Sequence, residues 1–258
     1  PNAIYTVRDV PHGQVTYTGY HSEALKTYRP LLVYTPAEYG QNPDKKYPVF
    51  YLISGTTDTE ETWFKVGRVN AILDNLIAEG KAEPMIVVMP YGYMMHGTPT
   101  PASMSAAEMY NDFATELTSA IMPFVEKNFR TINDRESRAI AGFSRGGGQS
   151  LYSAFANLDK FAWVASYAAF LTDEMIEKKF PEIDQKPETL NNQLRLLWYG
   201  VGNSDFLYND VTANWKYLDR KGINYKKKET TGGHTWMNAK YFLSETLPLL
   251  FKPTAAET

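Results

Sequence analysis

Hydrophobic residues follow a strand-like pattern in the first part of the chain. Residues 14–20 alternate, with Val15, Tyr17 and Gly19 on one face, and residues 27–34 form a second such segment. Both segments predict β-strands. The turn-rich residues 40–44 that follow predict a hairpin loop. Next comes Val49–Ile53, a continuous apolar run that is typical of a strand buried on both faces of a parallel sheet.

Beyond Ile53 the pattern alternates between helical and strand periods. Apolar residues at helical spacing predict an amphipathic helix over residues 69–77, ended near Gly80, and a longer helix along the stripe from Met109 to Ile121. Further strands are predicted at 85–89, 138–141, 161–167, 194–199 and 225–229, and further helices at 146–157, 215–220 and 242–251. This order predicts a mostly parallel central sheet with an antiparallel N-terminal edge and helices on both faces. That layout is the α/β-hydrolase fold.

Composition narrows the class of protein without changing this picture. The 258 residues are 43% hydrophobic and 21% charged, which is typical of a globular chain, and we expect one catalytic domain over residues 1–258. The formal net charge is -3 with no long basic run, so neither a nucleic acid nor an anionic membrane is expected as a partner. No apolar run is long enough to predict a transmembrane helix.

The chain contains no cysteine. This excludes disulfide frameworks, thiolate nucleophiles and cysteine-ligated zinc. No other metal-binding pattern is evident, and we expect neither a metal nor a cofactor.

The sequence GFSRG at residues 142–146 fits the pattern G-x-S-x-G. By itself this pentapeptide is a weak signal. Here a predicted strand leads into it and a predicted helix leaves it, as a nucleophile elbow requires. The flanking glycines have a physical role, because side chains two residues either side of the serine would clash across the tight turn. Ser144 is therefore the predicted nucleophile.

A serine hydroxyl needs a base to accept its proton, and the chain has four histidines. In this fold the catalytic residues occur in the order serine, acid, histidine. Only His234 lies downstream of Ser144, in a loop between the last predicted strand and the last helix. Asp205 follows a strand between these two residues and is the predicted acid. The weaker alternatives for the acid are Asp210, Asp173 and Glu174, listed in order of preference.

Acyl transfer also needs donors for the oxyanion that forms at the carbonyl oxygen. The backbone N–H of Arg145, directly after the nucleophile, is one predicted donor. The other is the backbone N–H of Thr56, in the loop that follows Val49–Ile53, where Gly55 would let the main chain approach the substrate.

Six segments of the chain resemble the esterase-D-like α/β-hydrolases, and in particular the feruloyl esterase domains of carbohydrate esterase family one. They are YLISG (51–55), NAILDNLIAEG (70–80), IVVMP (86–90), AGFSRGG (141–147), GNSDF (202–206) and GGHTW (232–236). The resemblance covers the chain from about residue 10 onward, with the motifs in order. One departure is Ser54, where many members have histidine, so the hydrogen bonding of the oxyanion loop must differ.

The resemblance implies a hydrolase for the ester between ferulate, or a related hydroxycinnamate, and arabinoxylan. It carries over Ser144, Asp205 and His234 as the triad and Thr56 and Arg145 as the backbone donors. An acetyl-xylan esterase is the alternative enzyme. An inactive carbohydrate-binding module on a hydrolase scaffold is the alternative outside enzymes.

The resemblance also implies a setting for the protein. The chain would be secreted or periplasmic, and it could be fused to a carbohydrate-binding or glycoside hydrolase module, although no signal peptide is predicted in its first residues. Aromatic and apolar residues near the predicted site are expected to flank the acyl group. They are Trp236, Tyr91, Tyr93, Met94 and Met95. The segment 97–105 is expected to form a rim beside them.

Overall fold

The computed structural model describes residues 3–94 and 104–252, which form an eight-stranded mixed sheet in the order β1-β2-β4-β3-β5-β6-β7-β8. The strands are β1 (Gln14–Ser22), β2 (Thr27–Thr35), β3 (Val49–Ile53), β4 (Ile86–Pro90), β5 (Arg138–Phe143), β6 (Trp163–Tyr167), β7 (Leu196–Gly202) and β8 (Lys226–Thr230). The pairs β1–β2 and β2–β4 are antiparallel, and all the others are parallel. The predicted α/β-hydrolase fold is confirmed.

Helices surround the sheet and explain its burial. They are α1 (Thr62–Lys65), α2 (Val69–Ala78), α3 (Ala106–Glu116), α4 (Met122–Asn128), α5 (Arg145–Ala156), α6 (Asp173–Lys179), α7 (Pro181–Gln185), α8 (Glu188–Gln193), α9 (Tyr208–Lys221) and α10 (Trp236–Thr246). Every residue of β3, β4, β5, β6 and β7 is buried. Their continuous apolar runs are therefore the consequence of packing on both faces. In the described parts of the chain, no helix has the length and apolar character to cross a bilayer.

The long apolar stripe from Met109 to Ile121 is confirmed as helical, with a change of pitch. A π-helical segment, Leu117–Ile121, joins α3 to α4. Phe113, Leu117 and Ile121 are buried, so the stripe faces the core as expected.

The prediction that residues 40–44 form the loop of a β-hairpin was wrong, because the strands on either side of them, β2 and β3, do not pair. The hairpin of this sheet is β1–β2, whereas β2 lies next to β4 and β3 pairs with β4 and β5. Turn residues predict where the chain reverses direction, but they do not predict which strands pair.

The bounds of two helices also differ from the prediction. The segment 215–220 is the second half of α9, and the closing helix begins at Trp236, six residues before the predicted start.

The parallel strands bring the functional segments to one edge. β5, β7 and β8 are parallel members of the block β5-β6-β7-β8, and they end at Phe143, Gly202 and Thr230. Because carboxyl ends of parallel strands lie at the same edge, the segments that carry Ser144, Asp205 and His234 leave the sheet on the same side.

Candidate active site

Ser144 occupies a strained turn between β5 and α5. Its backbone angles are φ 58 and ψ -125, a conformation that residues with a side chain rarely adopt. Its N–H donates to the Tyr167 carbonyl oxygen at 2.8 Å, so the parallel pairing of β5 with β6 extends into the turn. The sheet thus holds the serine in a conformation that it would not adopt in a flexible chain.

The two glycines of the elbow pack against each other as predicted. A Cβ added to Gly142 would lie 2.3 Å from the backbone carbon and oxygen of Gly146. A Cβ added to Gly146 would lie 2.4 Å from the Ile53 carbonyl oxygen. Backbone atoms cannot move aside as flexible side chains do, so the expected clash across the turn is confirmed.

Asp205 and His234 form a hydrogen-bonded pair. The distance between Asp205 Oδ2 and His234 Nδ1 is 2.8 Å, and the Asp205 carboxylate is buried. Asp205 Oδ1 accepts the backbone N–H of Leu207 at 2.8 Å, which fixes the orientation of the carboxylate. An imidazole that donates from Nδ1 has Nε2 as its acceptor. The pair can therefore present a base at Nε2.

The other candidate acids do not share this arrangement. Asp210 is an exposed residue in the first turn of α9, and Asp173 is ion-paired with Arg220 at 2.9 Å. Glu174 is ion-paired with Lys178 at 2.6 Å. Among the candidates, Asp205 is the carboxylate that the structure joins to His234.

Hydrogen bonds connect the loop that carries Asp205 to the loop that carries His234. Ser204 N–H donates to the Gly232 carbonyl at 3.0 Å, and Asn203 N–H donates to the Thr230 carbonyl at 2.8 Å. Asn238, in the first turn of α10, donates from Nδ2 to the carbonyls of Thr231 and Gly233 at 3.2 Å and 3.0 Å. These contacts hold the histidine loop from both sides.

Two phenylalanine rings contact the His234 imidazole. Phe143 stacks on it with centroids 4.7 Å apart, and Phe206 approaches to 4.5 Å. Because Phe143 is the residue before Ser144, its stacking places the elbow beside the histidine. Phe206 is 74% exposed, which is unusual for a large apolar side chain and puts its ring at the surface of the site.

Hydrogen bonds between side chains and the main chain stabilise the predicted oxyanion loop. Gly55 N–H donates to Asp58 Oδ2 at 2.8 Å, and Ser54 Oγ donates to the Thr59 carbonyl at 2.9 Å. A Cβ on Gly55 would lie 3.6 Å from Ser144 Cβ, so the loop borders the nucleophile. Because the Gly55 N–H is already bonded, the next amide, that of Thr56, is the better candidate donor. The Ser54 side chain thus stabilises this loop, and how its bonding compares with that of relatives that have histidine there remains a prediction.

Arg145 is the first residue of α5. Its N–H therefore has no acceptor within the helix, as expected for a donor that serves a ligand. The roles of Thr56 N–H and Arg145 N–H remain predictions.

Comparison with known proteins identifies the family. The family model Esterase, described as "Putative esterase", matches residues 22–248. The chain belongs to the Esterase family.

A curated relative of this esterase is the endo-1,4-beta-xylanase/feruloyl esterase of Xylanibacter ruminicola. It is 28% identical over 219 residues, which cover 80% of this chain and 30% of the relative. Endo-1,4-beta-xylanase Y of Acetivibrio thermocellus is 33% identical over 159 residues, or 57% of this chain and 13% of that protein. The chain thus spans less than a third of the length of either relative.

Solved structures share the fold of this esterase. A ferulic acid esterase superposes with a TM-score of 0.80 at 26% identity, covering 93% of this chain and 98% of that one. The CE1 ferulic acid esterase of Anaeromyces mucronatus in complex with ferulic acid superposes with a TM-score of 0.81 at 23% identity. It covers 97% of this chain and 96% of that one.

The predicted acyl-pocket residues of the esterase occupy two different environments. Trp236 packs edge-on against Trp63, at 4.7 Å, and against Phe143, at 5.2 Å. Tyr91 and Tyr93 lie together after β4 with ring centroids 6.4 Å apart. Their contact with an acyl group remains a prediction.

A buried arginine holds the segment that carries Tyr91 and Tyr93 in place. The buried Arg29 guanidinium donates to the carbonyls of Tyr91 and Tyr93, both at 2.6 Å, and its Nη2 lies 4.0 Å from the Met94 sulfur. Met94 is therefore a buried packing residue. Met95 and most of the predicted rim at 97–105 lie outside the described residues.

Several side chains at the site were missed from sequence. Asp58 closes the oxyanion loop, Asn238 holds the histidine loop, and the Arg145 side chain reaches Thr56. Glycine and aspartate are both common in turns, so the sequence marks a turn at residues 55–58 but does not indicate the hydrogen bond of Asp58. Within 3–94 and 104–252, no cluster of three or more histidine, aspartate or glutamate residues is placed to hold a metal ion.

Proposed function

We propose that this chain is a serine esterase that hydrolyses feruloyl and related hydroxycinnamoyl esters of plant cell-wall arabinoxylan. Ser144 is the nucleophile, His234 the general base and Asp205 the acid that orients it. The observation that carries the proposal is the 2.8 Å contact between Asp205 and His234 beside the strained turn of Ser144. A hydrogen-bonded histidine–carboxylate pair next to a serine elbow is the arrangement that acyl transfer requires.

The first half-reaction transfers the acyl group to the enzyme. His234 Nε2 takes the proton of Ser144 Oγ as that oxygen attacks the ester carbonyl carbon. The N–H groups of Thr56 and Arg145 donate to the carbonyl oxygen, which becomes negative in the tetrahedral intermediate. His234 then gives its proton to the sugar oxygen, the carbon–oxygen bond of the ester breaks, and the free arabinose hydroxyl leaves.

The second half-reaction restores the enzyme. Water gives a proton to His234 and attacks the acyl-serine. The second tetrahedral intermediate collapses to ferulic acid as the proton on His234 returns to Ser144 Oγ, and the acid then loses its proton to solvent. Throughout, Asp205 holds the imidazole so that Nδ1 donates and stabilises the imidazolium that forms at each step.

The preference for hydroxycinnamoyl esters rests on relatives and on the lining of the site. Relatives are named feruloyl or ferulic acid esterases, and one solved structure holds ferulic acid. Tyr91, Tyr93 and Trp236 supply aromatic surface, which suits a phenyl ring. An acetyl group would leave such a surface uncovered, so the acetyl-xylan esterase alternative is less well supported.

The chain is further proposed to be one catalytic module of a longer, secreted enzyme. It spans 30% of a relative whose name joins xylanase and feruloyl esterase activities. A xylan-directed module in the same polypeptide would bring this domain to its polymeric substrate and raise the local substrate concentration.

The test is hydrolysis of methyl ferulate and of acetylated xylan by the wild-type chain and by Ser144→Ala. The wild type should prefer methyl ferulate, and Ser144→Ala should lower kcat by about 10⁴-fold or more, because the nucleophile is lost. Ser119→Ala, which removes an exposed hydroxyl in the π-helical segment, is the control and should leave kcat unchanged.

Each outcome has a distinct meaning. A Ser144→Ala variant as fast as the wild type would refute the serine mechanism. A strong preference for acetylated xylan would refute the hydroxycinnamoyl assignment. A folded wild type that binds xylan but neither hydrolyses an ester nor reacts with a fluorophosphonate would support the carbohydrate-binding alternative.

A further inference from the structure

The side chain of Arg145 is a buried cation beside the nucleophile. The residue follows Ser144 directly and is only 6% exposed. Its Nη1 donates to the Thr56 carbonyl oxygen at 3.3 Å. Nε and Nη2 are also buried, and neither has a hydrogen-bond acceptor among the described residues. A guanidinium with free donors in the interior is rare, because desolvating a charge without a partner is unfavourable.

In the parts of the chain that the structure describes, the surroundings of Arg145 leave its charge largely unneutralised. The guanidinium carbon lies 5.4 Å from the ring centroid of Tyr93, a contact with a neutral ring. Burial lowers the pKa of Arg145 to about 10, while Asp58 and nearby tyrosines, Tyr91, Tyr110 and Tyr93, act in the opposite direction. The group therefore remains charged at neutral pH. Asp58 contributes at a distance, since its Oδ2 accepts the Gly55 N–H.

Another buried arginine of the same strand–helix unit shows the ordinary arrangement. Arg138, at the opposite end of β5, is 8% exposed and forms an ion pair with Glu126 at 2.8 Å. Arg145 has no ion pair within residues 3–94 and 104–252. An unpaired buried charge lowers the stability of the fold. A role of the Arg145 guanidinium in function, rather than in packing, therefore explains its position better.

Among the described residues, the hydrogen bond that the Arg145 side chain makes is directed at the predicted oxyanion hole. Thr56 and Arg145 are the two residues whose backbone N–H groups are proposed to bind the oxyanion. The bond from Nη1 to the Thr56 carbonyl ties the exposed, otherwise open part of the oxyanion loop to the start of α5. The positive charge therefore lies next to the position where negative charge develops in the reaction.

We propose that the Arg145 guanidinium is a positioning residue of the oxyanion hole. By holding the Thr56 carbonyl it fixes the Thr56 N–H beside the Arg145 N–H, and its uncompensated charge favours the negative oxygen of the tetrahedral intermediate. This inference rests on the proposed esterase function. Its effect belongs to the transition state, because the ester carbonyl of the ground state carries far less negative charge.

The experiment compares wild type, Arg145→Met and Arg145→Lys on methyl ferulate. Arg145→Met should lower kcat by about 100-fold with little change in KM, because a misplaced donor mainly weakens transition-state binding. Arg145→Lys keeps a charge but loses the planar donor geometry, so its kcat should fall between the other two. Arg138→Met is the matched control for loss of a buried arginine and should leave kcat near the wild-type value.

A second measurement separates positioning from a general structural role. Affinity for the neutral amide of ferulic acid, which has a planar, uncharged carbonyl group, should be nearly unchanged in Arg145→Met. The rate of inactivation by a fluorophosphonate, whose phosphoryl oxygen occupies the oxyanion hole, should fall in parallel with kcat. If Arg145→Met does not fold, Arg145→Lys alone must show reduced kcat and slower inactivation with unchanged affinity for the ferulic acid amide.

The inference and the proposed function fail in different ways. A wild-type chain without esterase activity would refute the proposed function. A wild-type chain that is active, together with folded Arg145 variants that match it in kcat and in inactivation rate, would refute only the role of Arg145. An equal loss of kcat and of affinity for the neutral ferulic acid amide would also refute it, since that result would indicate a collapsed site.

Discussion

The nucleophile side and the histidine side of the site are held in place by different kinds of contact. On the nucleophile side, backbone meets backbone: Gly142 packs on Gly146, and the Ser144 N–H continues the hydrogen bonding of the sheet. On the histidine side, side chains add to the backbone hydrogen bonds between the two loops, with Asp205 on the ring and Asn238 on the neighbouring carbonyls. Backbone packing leaves little space on the histidine side too, since a Cβ on Gly202 would lie 2.2 Å from the Gly232 carbonyl oxygen. The position of the imidazole depends in addition on side-chain hydrogen bonds.

The difference matches what each side must do. The serine oxygen has to be presented at one position, and a strained turn locked by backbone packing provides that. In the proposed mechanism the imidazole accepts and releases a proton twice in each cycle, so it needs a partner that favours one orientation and one tautomer. Substitutions on the two sides should therefore fail in distinguishable ways.

The largest expected effect is on the histidine side. Asp205→Asn keeps the shape of the side chain but removes its charge and allows the wrong imidazole tautomer. We expect kcat to fall by about 10⁴-fold with only a small change in the thermal unfolding midpoint. Asp210→Asn, at the rival acid on α9, is the control and should retain wild-type kcat. Equal effects of the two substitutions would contradict the assignment of Asp205.

A smaller loss of activity, accompanied by a loss of stability, is expected on the nucleophile side. Gly142→Ala would place a methyl group 2.3 Å from the Gly146 backbone, and the elbow would have to open. We expect a loss of about 3 kcal/mol in the free energy of unfolding and of about 100-fold in kcat. Urea denaturation and steady-state kinetics provide the measurements.

The control for this substitution is Gly40→Ala. No atom lies within 4 Å of a Cβ built at Gly40, so neither stability nor kcat should change appreciably. If Gly142→Ala behaved like Gly40→Ala, backbone packing could not be what holds the serine.

The smallest expected effect comes from the support of the histidine loop. Asn238→Ala removes the bonds to the Thr231 and Gly233 carbonyls. We expect a loss of about 1 kcal/mol in stability and of about 10-fold in kcat, because the loop becomes less restrained. Asn191→Ala is the matched control, since Asn191 makes similar backbone bonds, to Gly222 and Asn224, far from the site. It should lose comparable stability and no kcat, and parallel losses of kcat in both variants would overturn the role given to Asn238.

The fold could be predicted from the sequence wherever a local pattern determined the structure. Apolar runs such as Val49–Ile53 and the stripe of α3 follow from burial, which one segment reveals by itself. The pairing of β2 with β4 could not be predicted in this way, because those strands are more than fifty residues apart. The short helices α6, α7 and α8 were missed, since five to seven residues give too few turns to show a period.

For the site, chain order was more informative than side-chain chemistry. The order of Ser144, Asp205 and His234 could be read because the fold dictates which strand ends carry the chemistry, and the structure joins the last two directly. The direction in which a side chain points at the start of a helix could not be predicted from the sequence. The sequence therefore predicts a role for the Arg145 backbone but not for its guanidinium, whose contact with Thr56 depends on a loop 89 residues away.

That contact has a consequence for engineering the enzyme. Position 145 follows the nucleophile and would be a natural choice for a randomised library aimed at a new acyl preference. Because its main chain and its side chain both reach the predicted oxyanion hole, most library members would lose turnover before their selectivity could be scored. Diversity is better introduced at Phe206, whose ring is exposed beside His234 and makes no hydrogen bond that the loop depends on.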